Sequence, residues 1–388
     1  MATNNNLDDF VNDLASAIRL RSKDFNIMNV QDMSDRIRQI DSVEEKDVNF
    51  YDYDGVRIFS YSKEEANSLT ELPTPPLKDD LNFTGWTYSL QAIKDQVGKC
   101  DIGALYSYNN PDYFVALTIL VPSDNFTIKF RNALWSGDKL DWGDGNVIEN
   151  PSSTISSPSH TYLKKGVYTI KSTRSLGTSA STASGNPISP INVLQQVFIN
   201  SDFDDGVSYS NIGMNTFQKA PNFIIATDLP LDTGCYDGSK ISFCIAPSIP
   251  VSGVGYIFRG CSNLKKLCLG SSITKLPKNI CIEGNYKELC LPPYLETVED
   301  SAFLIKKGRI VFPPTLKSLS DSFVYLGADV VLDFSYLENV PTIGTYGFIN
   351  CSSFVTIIVP DNLYNEWIVA DNWSKHASKI VKASEYTE

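Results

Sequence analysis

Two carboxylates and an imidazole are the first groups in this chain whose types and spacing could do chemistry. Asp141 and Asp144 bracket Trp142 and Gly143 in a run that ends at Gly145, and His160 follows Asp144 by sixteen residues, just ahead of Tyr162. Carboxylate and imidazole groups that converge in space can hold a cation or move a proton. The same residues also make a tight turn. Glycine tolerates positive φ, aspartate accepts backbone N–H groups, and Trp142, Tyr162 and Tyr168 are bulky apolar filling. The turn is the expected use, so Asp141, Trp142, Gly143, Asp144, Gly145, His160 and Tyr162 are read as structural. No catalytic residue, metal ligand or cofactor-binding residue is assigned.

Other candidate chemistry is weaker. The chain has two histidines, His160 and His376, and neither sits beside a serine or cysteine in a nucleophile setting. A nucleophile elbow, a phosphate-binding glycine loop, a His-Glu-x-x-His run and paired-cysteine zinc spacing are all missing. The run from Asp202 to Gly206 invites a calcium reading, but a helix-loop-helix calcium loop needs its glycine sixth, and here it is fifth. A protein that is not an enzyme is expected.

Charge narrows the partners further. With 45 acidic and 33 basic residues the net charge is −12, which argues against a nucleic-acid backbone or an anionic membrane. No run of about 18 apolar residues occurs, so no membrane insertion is expected. The start, MATNNNLDDF, lacks the basic and apolar regions of a signal peptide. Seven of the eight cysteines fall from Cys235 onward, in step with a repeat, and are expected to be buried free thiols.

These side chains must be positioned by several units. Leu7, Phe10, Val11, Leu14 and Ile18 recur at helical spacing, as do Met33, Ile37 and Ile40, giving two short amphipathic helices that need something to dock on. Residues 1–44 are therefore read as an attachment segment. In residues 45–111 a hairpin around Asp54-Gly55 and two helical stretches, KEEANSLTEL and SLQAIKDQVG, make a small α+β module. Residues 112–199 alternate as strands and contain a Ser/Gly-rich loop, which fits a β-sandwich.

Residues 200–388 repeat. The short apolar strands LCL at 267, LCL at 289, IVF at 310 and VVL at 330 start 22, 21 and 20 residues apart, and IIV at 357 follows after 27. FRGCSNL at Phe258 returns as FINCSSF at Phe348. One strand every 20 or so residues is the mark of a leucine-rich solenoid, whose units bury their apolar residues only by stacking. Cys268 and Cys290 are expected on one face of neighbouring rungs, about 5 Å apart. The stretch after Asp361 is expected to be a helical cap closed by Trp367 and Trp373. Tyr106, Tyr108 and Tyr113, and the solenoid's Tyr325, Tyr336 and Tyr346, are candidates for exposed contact residues.

Three resemblances add to this reading. The Asp141–Gly145 turn, the His160-Thr161-Tyr162 strand and the Gly166–Ile170 strand resemble the pattern of PKD-type Ig-like domains, which implies a β-sandwich framed by that turn. The Phe258 and Phe348 signatures resemble BspA-like leucine-rich repeats of bacterial surfaces. The amino-terminal third, with FVNDLASAIRLRSKDFNIMNVQDMSDRIRQI from Phe10, KDVNFYDYDGVRIFSYSKEEANSLTELPTPP from Lys46, LNFTGWTYSL from Leu81 and CDIGALY from Cys100, looks like the leader of virion-associated proteins from phages and prophages of gut bacteria.

Together they imply a multidomain phage virion protein, made in the host cytoplasm and released by lysis, with its helices bound to other virion proteins. The display domains would adhere to host cell-surface polysaccharide or protein, as part of a tail fibre or baseplate receptor-binding component. A homo-oligomer is among the assemblies expected. The alternatives are a capsid decoration or head-fibre protein and a bacterial surface adhesin.

Overall fold

The computed structural model describes residues 45–174, 186–203, 212, 216–232, 234–249, 255–348 and 356–387. The expected attachment residues Leu7, Phe10, Val11, Leu14 and Ile18, Asp204 to Gly206 of the acidic run, and Cys351 lie outside the described residues. The backbone of residue 325 is described, but the side chain of Tyr325 is not. Among the described residues no helix is long and apolar enough to cross a membrane.

The chain first builds a four-stranded sheet with two short helices. Its elements are β1 (Val48–Tyr51), β2 (Arg57–Tyr61), α1 (Lys63–Asn67), β3 (Leu81–Trp86), α2 (Leu90–Asp95) and β4 (Cys100–Tyr108). The order is β2-β1-β4-β3, with β1 and β4 parallel. Asp52 and Gly55, at φ +78°, close the hairpin. Ser62 and Glu65 cap α1 reciprocally, and Ser89 caps α2. Strand alternation then sorts the faces. Val48, Phe50, Cys100 and Ile102 pack with Ala66 and Ile93 of the helices. Tyr51 points the other way and packs with Phe243, Ile245 and Cys268 of the repeat region.

Nine strands follow: β5 (Val115–Val121), β6 (Phe126–Phe130), β7 (Lys139–Asp141), β8 (Val147–Glu149), β9 (Ser159–Tyr162), β10 (Gly166–Ser172), β11 (Ile188–Ser189), β12 (Leu194–Ile199) and β13 (Ile224–Ala226). They form a six-stranded sheet, β13-β12-β5-β10-β7-β8, and a three-stranded sheet, β11-β6-β9. Leu117 and Ile119 of the first share a core with Ile128, Phe130 and Tyr162 of the second. β12 pairs in parallel with β13, so hydrogen bonding crosses the expected boundary at residue 199. One apolar cluster continues from Phe114 to Ile380.

The remaining strands make a parallel β-solenoid. They are β14 (Phe243–Ala246), β15 (Lys266–Leu269), β16 (Lys275–Leu276), β17 (Ile282–Cys290), β18 (Thr297–Val298), β19 (Phe303–Val311), β20 (Ser318–Leu319), β21 (Val324–Asp333), β22 (Thr342–Ile343), β23 (Thr356–Val359) and β24 (Ile380–Lys382). The sheets are β14-β15, β16-β18-β20-β22 and β17-β19-β21-β23-β24.

The register departs from simple alignment of the apolar triplets. Leu289 faces Ile310, Ile310 faces Leu332 and Leu332 faces Ile357, so the steps after Ile310 are 22 and 25 residues rather than 20 and 27. A bulge at Ile305–Lys307 shifts the third pairing. It turns Leu332 and Phe334 inward, where Phe334 stacks on Phe312 with centroids 4.3 Å apart. Nor do Cys268 and Cys290 sit on hydrogen-bonded neighbours, because β15 pairs with β14 and β17 with β19. Both are buried free thiols, as are Cys100, Cys235, Cys244, Cys261 and Cys281.

The expected terminal helix is also corrected. Only α3 (Tyr364–Trp367) is α-helical; Asn372, at φ +64°, breaks the chain direction before a 3-10 stretch, and β24 then adds a last strand. Packing against the open end of the core decides this. Trp367 and Trp373 are fully buried with rings 4.4 Å apart, and the Trp373 indole donates to the Pro341 carbonyl at 2.8 Å.

Candidate functional site

The residues of the Asp141–Gly145 turn do converge with His160 and Tyr162. β7 ends at Asp141 and β8 begins at Val147, so the turn joins two antiparallel strands, while β9 brings in His160 from the facing sheet. Asp141 Oδ1 accepts the Gly143 N–H at 2.8 Å. Asp144 Oδ1 accepts the Asn146 backbone and side-chain N–H groups, each at 3.1 Å, and its Oδ2 lies 2.6 Å from His160 Nε2. Trp142 stacks on the imidazole, and the Tyr162 hydroxyl donates to the Trp142 carbonyl at 2.7 Å.

Electrostatics make the pair directional. Partial burial raises the Asp144 carboxyl, but hydrogen bonds from His160 and Asn146 outweigh it and hold the group below the usual aspartate range. An ionised carboxylate only accepts, so His160 Nε2 carries the proton. Burial pushes the Tyr162 phenol up, which keeps it a donor. Asp141 Oδ1 and both Asp144 oxygens are thus aimed at protein donors. Gly143 is required for two reasons: its φ is +80°, and a Cβ there would sit 2.5 Å from the Thr169 carbonyl oxygen. Gly145, at φ +92°, has open space around it. Among the described residues no group of three or more His, Cys, Asp or Glu side chains is placed to hold a metal ion.

The tyrosines divide. Tyr106, Tyr108 and Tyr113 are buried, a correction that follows from their place in the seam between the first sheet and the second, where Tyr106 meets Tyr53 and Tyr108 meets Phe198. Tyr336 and Tyr346 are 42% and 57% exposed. Tyr346 accepts the Ser322 N–H through its carbonyl in a ladder of turns.

Sequence reasoning missed what covers the solenoid. On the parallel strands Leu267, Leu289, Ile310 and Leu332 point into the core, leaving Ile245, Lys266, Cys268 and Cys290 on the opposite side. The α+β module sits on that side. Asp101 of β4 accepts from Lys266 at 2.8 Å, with Glu45 3.6 Å from the same ammonium. Gln96 donates to the Leu291 carbonyl, and Tyr294 to Asp95. Burial pushes the Asp101 carboxyl up even against the pull of Lys266. Gly103 is the signal that could have been read, because a Cβ there would lie 2.6 Å from Ile245. Further along, Arg309 bonds Asp333, whose side chain is fully buried.

Residues 230–355 and 322–366 match the family model of a BspA type leucine-rich repeat region, in six copies. The C-terminal β-solenoid carries BspA-like leucine-rich repeats. No curated protein and no solved structure matches the chain. The fold is accordingly a multidomain, β-rich one that ends in this repeat solenoid.

Proposed function

We propose that the chain is a non-enzymatic structural protein of a phage particle, mounted through residues 1–44 on other virion proteins and adhering to the host cell surface as a tail-fibre or baseplate component. The observation that carries the adhesive part is the repeat solenoid with its rigid backing. A stacked array loses little conformational entropy on binding and suits many weak contacts to a repetitive surface. Because the α+β module occupies the strand side over β14, β15 and β17, the recognition surface is assigned to the β16-β18-β20-β22 sheet and its turns, where Thr342 and Tyr346 are exposed. The two-sheet unit, read as a PKD-like Ig sandwich, backs the solenoid through the apolar cluster that continues from Phe114 to Ile380. The virion placement rests on the resemblance of the amino-terminal third.

The experiment uses residues 45–388 as one body, since the pairing of β12 with β13 crosses any cut at 199. That body should bind host cells and compete with infection, yet fail to join particles without residues 1–44. Normal adsorption by particles that lack the protein would remove the receptor-binding role and leave capsid decoration as the reading.

A further inference from the structure

Away from the solenoid, the loop between β6 and β7 holds Trp135 half exposed, at 49%. The loop is rigidly framed. Leu134, fully buried, exchanges both backbone hydrogen bonds with Ile155 at 3.0 and 2.9 Å, which pins the chain one residue before the indole. Trp135 donates its N–H to Asp138 Oδ2 at 2.6 Å and accepts the Asp138 N–H through its carbonyl at 3.0 Å. Gly137, at φ +90°, and the Ser136 hydroxyl both donate to Asn150 Oδ1, at 2.9 and 3.2 Å. The Arg174 guanidinium lies 4.2 Å from the indole centroid, and its Nε is 3.5 Å from Asp138.

The result is a fixed indole with a planar cation stacked on it and a rim of hydroxyl, amide and carboxylate groups. Its charges cancel locally, Arg174 against Asp138 and Lys139 against Glu149, the latter pair 3.7 Å apart. With a net charge of −12 on the chain, a phosphate backbone is disfavoured. A protein partner needs roughly 800 Å² per side around an apolar centre, and the loop neighbours Ser136, Gly137 and Asn150 are polar or bare. A pyranose ring fits both demands: its C–H face can lie on the exposed part of the indole that Arg174 does not cover, and its hydroxyls meet polar groups at the edge.

We propose that Trp135 is the platform of a binding site for neutral saccharide, framed by Ser136, Asp138, Asn150 and Arg174. The site stands on its own loop and does not require the solenoid to touch the host.

Affinity electrophoresis of the full chain through gels holding mannan, dextran, a soluble β-glucan or, as the charged control, polygalacturonate tests this. At least one neutral polymer should retard the protein. Trp135→Ala should weaken that retardation about tenfold or more, the size of one lost stacking contact, while Trp135→Tyr keeps part of it and Arg174→Ala weakens it less. Thermal unfolding of each variant shows whether the fold survives, and the Trp135→Tyr and Arg174→Ala arms decide the matter should Trp135→Ala fail to fold. Leu163→Ala, at a side chain 71% exposed and outside both surfaces, should bind as the wild type does. Retardation by no neutral polymer, retardation by polygalacturonate alone, or unchanged binding in both Trp135 variants would overturn the proposal. So would loss of binding in Tyr346→Ala with Trp135→Ala unaffected, which places the site on the solenoid.

Discussion

Two acid–base pairs in this molecule solve one problem in opposite ways. Asp144 and His160 are separated by sixteen residues, lie 2.6 Å apart and sit at the surface of the two-sheet unit. Asp101 and Lys266 are separated by 165 residues, lie 2.8 Å apart and close a seam in which the carboxylate is almost wholly buried. In the first, burial is the largest single contribution, but the hydrogen bonds from nearby donors together outweigh it. In the second, burial dominates and the cation must be delivered by a distant part of the chain. Local pairs of the first kind fix a turn, whereas the second kind fixes how whole units sit against one another.

That difference sets the largest expected effect. Lys266→Met leaves Asp101 buried without its cation and should cost about 3 kcal/mol in urea unfolding of the full chain. Asp101→Asn should cost about 1 kcal/mol, because the orphaned Lys266 still has Glu45 and some solvent. The Lys266→Met deficit should shrink as pH falls, since a carboxyl whose folded value is already raised is disfavoured when ionised and needs no cation once protonated. Equal costs for the two variants, or a deficit that grows in acid, would show that the seam does not depend on Asp101 being charged.

The turn should be less costly to damage, and its two glycines grade the damage. Gly143→Ala meets a backbone oxygen as well as an unfavourable φ and should lose about 2 kcal/mol, while Gly145→Ala, strained only in φ, should lose about 1 kcal/mol. Paired thermal melts distinguish them. Similar losses would mean that the Thr169 backbone gives way and that the close approach does not define the turn.

Legibility in the sequence followed the same division. The Asp54-Gly55 hairpin, the places of both helices of the module, each shorter than the helical stretch expected there, and the repeat strands come from local signals: glycine in a turn, helical spacing, apolar triplets at near-constant intervals. The turn residues from Asp141 to Tyr162 were visible as a group because their spacing is short. What sequence could not reveal depended on contacts between distant segments. The burial of Tyr106, Tyr108 and Tyr113 comes from a seam with β12 and β13, and the 22-residue step to Leu332 comes from a bulge whose reward is the Phe312–Phe334 stack. The terminal stretch has helix-forming residues, but two tryptophans had to reach one core opening, and that outweighed a propensity of a few tenths of a kcal/mol per residue. Nothing in the sequence marks Trp135, because a single tryptophan between two strands has no periodicity.

The smallest effect bears on the opening pair of residues. Removing the Asp144 carboxylate by Asp144→Ala takes away the acceptor for His160 and Asn146 at a partly exposed site, so about 1 kcal/mol at neutral pH is expected. The sign of its pH dependence is fixed by the depressed carboxyl. Stability from a depressed aspartate is fully present above its unfolded value, roughly 3.9, and is lost as pH falls through the lower folded value. Wild type and Asp144→Ala should therefore differ in urea midpoint at pH 7 and converge only in strong acid. A chelator should leave both midpoints where they are. If chelation instead lowered the wild-type midpoint and Asp144→Ala abolished that response, the carboxylate would be holding a cation in solution, and the contrast between a self-satisfied turn and a buried seam would have to be redrawn around a metal.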